Sequence, residues 1–401
     1  MKTRQNIHTQ PQLRVPHISL LRCGLAALAL SAATAQAQFQ IQIQTTHTTA
    51  SFRGIHALSP QVAWASGTAG TVLRTTDGGT TWQPCTTPPG AEKLDFRGIQ
   101  AFDDKTAIVM SSGKGDLSRL YKTTDACHSW TLLFTNPDKD GFWDAVKFSD
   151  ASHGFILGDP ITVPGTTGKR FVLKQTFDGG KSWTSWEQKV PTLALGENAA
   201  AFAASNSSLI LKDKFVAIIG IGGKDGSALI DTMTHSIGIC NCNPMPPESL
   251  WNDKLNVSTS SEAPFPKTES AGIFAIAENR FFLIAVGGDY KLPDSSEQTA
   301  AYKGTGSIKW SSPQTPPHGY RSSVAYDPTT KTWITVGPNG TDISTDDGRN
   351  WNPLKPAAHE EKDADQNWNA LSLPFVVGPK GRIGKLSPDT LKPVPKPKAS
   401  R

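Results

Sequence analysis

The chain has 401 residues, 37% of them hydrophobic and 19% charged, which supports a sizeable core and excludes a disordered chain. Its formal charge of +5 includes Lys2, Arg4, Arg14 and Arg22, which stand in an acid-free leader, so the body carries only +1. A near-neutral body gives no electrostatic case for nucleic acid, which needs a clustered basic face, and no apolar run reaches the about 18 residues of a spanning helix.

Residues 1–37 read as a signal peptide. A basic, polar start to Arg22 precedes the apolar stretch Leu25 to Ala33, and Ala35-Gln36-Ala37 supplies the small-x-small pattern of a cleavage site. Export to the periplasm or medium follows, and with it an oxidising compartment. Four cysteines remain after cleavage at Ala37: Cys85, Cys127, Cys240 and Cys242. They allow three pairings, among which the sequence does not choose.

The body is a repeat. An octapeptide recurs as TTDGGTTW (75–82), TTDACHSW (123–130), TFDGGKSW (176–183) and STDDGRNW (344–351). Its Asp (Asp77, Asp125, Asp178, Asp346) suits a turn in which the carboxylate accepts backbone N–H groups, and its Gly suits positive φ. In the second copy Cys127 stands at the second Gly position. Its Trp (Trp82, Trp130, Trp183, Trp351) covers the turn and accounts for much of the surplus of 11 Trp over 5 Tyr. The pattern resembles the Asp-box, or bacterial neuraminidase repeat. Repeated turns serve repeated structure, so these four carboxylates read as structural rather than catalytic.

Before each octapeptide stands a short alternating strand: FRGIHAL from Phe52, FRGIQAF from Phe96, FWDAVKF from Phe142 and YRSSVAY from Tyr320, with WNALSL from Trp368 a weaker relative. Four short strands every 44 to 50 residues are the grammar of a propeller blade. Two degenerate copies fill the middle, Ala200–Ala204 with Phe215–Ile219, and Gly272–Ile276 with Phe281–Val286. The expected fold is therefore all-β: a seven-bladed propeller over residues 38–386, of the wider WD40-like repeat type. Its blades start near 52, 96, 142, 199, 270, 320 and 368. The Pro-, Ser- and Asn-rich stretch from Thr232 to Lys267, which holds Cys240 and Cys242, reads as a surface excursion. The last blade lacks a fourth strand, and the alternating Phe39–Gln44 can supply it and close the ring. Residues 387–401 form a Lys/Pro tail.

The FRGI strands, the octapeptides and the phrases GEN-AAAFAAS, VGGDYKLPD, GYRSSVAYDP and VGPKGRIGKL together resemble the photosystem II stability/assembly factor-like propellers over about residues 50–386. That resemblance implies a non-enzymatic, seven-bladed scaffold that binds protein segments during assembly of a membrane complex, through a basic central patch. A protein partner follows, either a membrane-complex subunit or an exported polypeptide, and the chain is expected to be a monomer.

Inner strands line a propeller's channel, so aligning the copies on their first aromatic residue brings Arg53, Arg97 and Arg321 to one level. Trp143 takes that place in the third copy, with Asp144 next, and Asn369 takes it in the seventh. Guanidinium forks suit carboxylate or phosphate. Glu197 is a further neighbour, and Asp289 and Tyr290 are rim candidates. No cofactor is expected: Gly220-Ile-Gly-Gly-Lys-Asp-Gly lacks the helix and the Lys-Ser/Thr of a phosphate loop. No metal site is expected, since the histidines lack ligand spacing. The alternative is a sialidase-like glycoside hydrolase, suggested by the octapeptides and three arginines. No Pro follows the FRGI Ile, and no Tyr–Glu pair is assignable. A secreted adhesive module is a third reading.

Overall fold

In the computed structural model of the chain, the residues described are 40–163, 165, 168–185, 198–212, 214, 216–236, 254–356 and 360–387. The leader to Ala37, Phe39, Glu197, Cys240, Cys242 and the tail from 388 lie outside them. No helix among the described residues is long and apolar enough to cross a membrane.

Among the described residues the strands group into seven antiparallel blades, each meandering outward from an inner strand. Blade 1 runs Phe52–Ala57, Ala63–Gly67, Val72–Thr75 and Gln83–Pro84. Blade 2 spans Phe96–Ala101 to Thr131–Thr135, blade 3 Trp143–Phe148 to Thr184–Ser185, and blade 6 Ser323–Asp327 to Asn352–Pro353. Blade 5 holds Ala271–Glu278, Phe282–Asp289 and Ala300–Gly304, and meets blade 4 at a single ladder pair, Gly222 opposite Gly272. Neighbouring blades pack face to face in buried apolar clusters, such as Trp64 and Val72 of blade 1 with Phe96, Ile99 and Val109 of blade 2.

The last blade completes the ring from two ends of the chain. Ala370–Ser372, Phe375–Val377 and Ile383–Leu386 are joined on the outside by Ile41–Gln44, with Ile41 opposite Leu386 and Gln44 opposite Ile383. Gln44 then reaches blade 1, where its side-chain oxygen accepts from the Trp82 indole at 2.7 Å and its amide donates to Gly78 O at 3.2 Å. The alternation Ile-Gln-Ile-Gln is what this requires: Ile41 is buried in the seam while the glutamines face outward or across it.

The octapeptide turns are superimposable in their hydrogen bonds. The first hydroxyl (Thr75, Thr123, Thr176, Ser344) donates to the Asp carboxylate at 2.8–2.9 Å and accepts the fifth residue's N–H at 2.8–3.0 Å. The same carboxylate oxygen accepts the seventh residue's N–H, from Thr81, Ser129, Ser182 and Asn350, at 2.9–3.0 Å. These donors hold the carboxyls low. Asp125 and Asp178 fall to about 2, led by the hydroxyls of Ser129 and Ser182. The fifth residue is left-handed throughout, at φ 85° in Gly79 and 63° in Cys127. Cys127 bears that conformation while bonded to Cys85, with Cα atoms 5.2 Å apart, so a disulfide joins blade 2's turn to blade 1's outer edge.

Blade 4 departs from expectation. Ala200–Ala204 does not form its inner strand. The chain pairs only at Ala199–Ala200, leaves the sheet, and resumes at Leu209–Leu211 against Val216–Gly223. Small residues make the detour possible, because the intervening segment crosses the middle of the ring. Asn206 accepts Val146 N–H at 2.8 Å in blade 3 and donates to Ile99 O at 3.5 Å in blade 2. Ser207 O accepts Ile276 N–H in blade 5 at 2.9 Å, and Ser205 donates to Ser322 O in blade 6 at 2.6 Å. The channel is thereby plugged. The excursion expected over Thr232 to Lys267 also differs: Ser227–Ser236 and Lys254–Ala263 pair as a ten-residue ladder, continuing the blade outward.

Candidate functional site

The inner strands of blades 1, 2, 3 and 5 carry a β-bulge near their start. Ladder pairing skips one residue between Phe52 and Gly54, Phe96 and Gly98, Trp143 and Ala145, and Ile273 and Ala275. A bulged residue is freed from the ladder and re-aimed. Here Arg53, Arg97, Asp144 and Phe274 turn toward the axis above the plug. Matching each ladder at its glycine (Gly67, Gly337, Gly378) adds Ser322 in blade 6 and Asn369 in blade 7. All six line one cavity of about 420 Å³, whose floor is Ala201–Ala204 of the plug.

This register moves two sequence expectations by one residue. In blade 3 the bulged position belongs to Asp144, and Trp143 sits at the enclosed place that Phe52 and Phe96 hold. In blade 6 the equivalent position, reached by matching Gly337 with Gly67, is Ser322, so Arg321 takes the place of the buried aromatic and is 0% exposed. A one-residue slip sends a side chain to the other face. Arg321 therefore does not join Arg53 and Arg97 at the axis. Its guanidinium is neutralised inside blade 6 by the buried Asp342 and donates to Tyr320 O (2.8 Å) and Asn339 Oδ1 (2.6 Å). His318 completes this network at 2.8 Å from Asp342, and that hydrogen bond raises the imidazole pKa. The hydrolase alternative drew on three arginines in one place, and the structure brings two together.

The two remaining arginines differ. Arg97 is held by Asp95 at 2.7 Å, touches the plug through Ala203 O (3.4 Å) and stands over the Phe142 ring. Arg53 is half-buried and has neither a hydrogen bond nor an ion pair among the described residues. Burial lowers its pKa first and the positive charge of Arg97 second, against a weaker raising pull from Asp95, which is ion-paired to Arg97 and not to Arg53. An incompletely satisfied guanidinium beside another one is a site short of negative charge.

The three carboxyl groups that line the cup form no ion pair with Arg53: Glu269 is held by Lys224 at 2.5 Å, and burial disfavours charge on Asp144 and Asp159. Asp144 is 1% exposed, and burial, reinforced by the neighbouring Asp159, pushes it well above the usual carboxylate range against the pull of Arg97. Its Oδ2 has no hydrogen-bond partner. Asp159 is raised too, chiefly by burial, and accepts Ala201 N–H at 3.0 Å, tying the plug to blade 3. Across the cup the wall is aromatic. Phe202 of the plug stacks on Phe274 at 4.0 Å, and Tyr320 meets Phe274 edge-on at 4.8 Å. Tyr290 stands on the rim at 6.1 Å from Phe274 and is 49% exposed.

Of the rim candidates, then, Tyr290 faces the cup, while Asp289 serves the turn: it accepts from Thr268 at 2.8 Å and from Lys291 N–H at 2.9 Å. Sequence reasoning missed Phe202, Phe274 and Tyr320 as site residues. A signal existed for the first in the run AAAFAASNSS, too small and polar to be an inner strand. No group of three or more metal-ligating side chains occurs among the described residues.

No family model matches the chain, and no curated protein does. Solved structures do. YCF48 bound to a D1 peptide is similar with a TM-score of 0.52 at 14% identity, over 90% of this chain and 97% of that one. YCF48 from Cyanidioschyzon merolae gives 0.53 at 15%, over 87% and 99%. The WD40 β-propeller domain of Doa1 gives 0.52 at 8%, over 88% and 97%. Likeness at these identities shows the propeller fold.

Proposed function

We propose that this chain is an exported, non-enzymatic binding propeller that holds an anionic group of a protein segment in the plugged cup. Its role would be that of a scaffold or assembly factor, as in the photosystem II assembly propellers that the sequence resembles. The observation that carries this reading is Arg53: a half-buried cation, without a hydrogen-bond or ion-pair partner among the described residues, beside Arg97 at the mouth of a concave site. The neighbouring structure of YCF48 with a D1 peptide supports a polypeptide partner. The Cys85–Cys127 bond supports export, since such bonds persist in oxidising compartments.

Crosslinking tests it. With p-benzoylphenylalanine in place of Tyr290, periplasmic and membrane extracts should yield a polypeptide adduct. The double change Arg53→Ala with Arg97→Ala should lower its yield by about tenfold or more, the scale of one or two lost charge-assisted hydrogen bonds. An adduct of unchanged yield removes the arginine pair from the function.

A further inference from the structure

The cup has two unlike halves, and its floor is closed. Arg53 and Arg97 come from adjacent blades 1 and 2. Phe274, Tyr290 and Tyr320 come from blades 5 and 6 or their connections, and Phe202 comes from the plug. The plug is bonded to blades 2, 3, 5 and 6, so a ligand enters from one side and stops. A volume of about 420 Å³ lies near the lower end for small-ligand sites and admits one or two side chains rather than a threaded chain.

Resting on the binding role above, we infer that the cup is a composite subsite for two neighbouring residues of an extended segment, one aromatic and one acidic. The aromatic ring seats against Phe274, Phe202 and Tyr290, and the carboxylate pairs with Arg53. Three observations favour this occupant over a bare anion. The aromatic groups already pack stacked and edge-on, leaving Tyr290 half exposed at the rim where a further ring can join. The only polar groups of the plug floor that the cup offers are backbone, since Ala201, Ala203 and Ala204 are apolar and Phe202 is aromatic. Arg97 is ion-paired to Asp95, which attracts Arg53 only through space, so one guanidinium is left to pair with one carboxylate.

Capped hexapeptide libraries distinguish the possibilities. Pairs at the two central positions are Phe-Glu, Ala-Glu, Phe-Gln and Ala-Gln, each in both orders, with equimolar mixtures at the flanking positions. Peptides retained by the immobilised full chain are counted by mass spectrometry. The Phe/Glu libraries should be enriched at least tenfold over both the Ala/Glu and the Phe/Gln libraries, in one order or in both. Tyr290→Ala alters an exposed side chain and spares the fold. It should cut the preference for Phe over Ala at least threefold while leaving the preference for Glu over Gln. Arg53→Ala should do the reverse. Equal retention of Phe/Glu and Ala/Glu libraries, with Glu preference still lost in Arg53→Ala, overturns the composite subsite and leaves the anion site standing. Retention that ignores both Glu and Arg53, or no retention of any library, overturns the subsite as well. The crosslinking yield then decides separately whether the arginine pair binds at all.

Discussion

The disulfide between Cys85 and Cys127 offers the most quantitative test of how this ring is held. The two residues are 42 apart in sequence and link the outer edge of blade 1 to the turn of blade 2. In the chain-entropy picture a loop of that length restricts the unfolded ensemble by about 4 kcal/mol. The seam keeps other bonds when the sulfurs are removed: Thr86 donates to Cys127 O at 2.8 Å, and the Trp130 indole donates to Thr86 O at 2.9 Å. Cys85→Ala with Cys127→Ala should therefore preserve the native blade geometry and lose about 4 kcal/mol of unfolding free energy, read by urea titration of tryptophan fluorescence. A second variant isolates the backbone. Position 127 has φ 63°, where the other copies have glycine, and a side chain there costs about 1–2 kcal/mol. Cys85→Ala with Cys127→Gly should recover about 1 kcal/mol of the loss. If the alanine pair unfolds at the wild-type midpoint, the staple contributes nothing. If the glycine version is the weaker of the two, the strain argument fails.

Asn206→Ala leaves Val146 N–H without its acceptor inside the ring, so stability should fall by about 1–3 kcal/mol and amide exchange at Val146 should accelerate; unchanged exchange would mean that the plug is held elsewhere. Asp144→Asn removes a carboxyl whose folded pKa is raised by burial and by Asp159. The variant should be more stable than wild type at pH 7, and the gain should vanish as pH falls below 3.8, where both states are protonated; a gain that persists at pH 3 contradicts the assignment. The folded pKa of His318 is raised as well, so its pH slope has the same direction, but here the shift comes from the bond to Asp342, which stabilises the charged form. Its stabilisation is complete below the ordinary imidazole value of 6.5 and lost as pH rises through the raised one. His318→Gln should thus lower the melting temperature more at pH 5.5 than at pH 9, against the opposing charge of Arg321, and equal losses at both would rule this out.

Much of the architecture was legible in the chain alone because it is written in local chemistry. The Ser/Thr-x-Asp turn needs a hydroxyl, a carboxylate and left-handed residues at fixed offsets, and the Ile-Gln alternation of residues 41–44 suits an edge strand with one buried face. Blade count and ring closure followed from these signals. The site was less legible, for a reason that particular residues make plain. Phe142 and Tyr320 look like the landmark Phe52, yet Trp143 and Arg321 occupy its enclosed position. Side chains alternate across a strand, so only the pairing of each inner strand with its neighbour decides which residue is bulged toward the axis. The same pairing delivered Asp144 to the cup and enclosed Arg321 with Asp342. Departure of residues 201–208 from blade 4 was likewise settled by partners distant in sequence: Ile99, Val146, Ile276 and Ser322 satisfy the backbone and side-chain groups that the sheet leaves open.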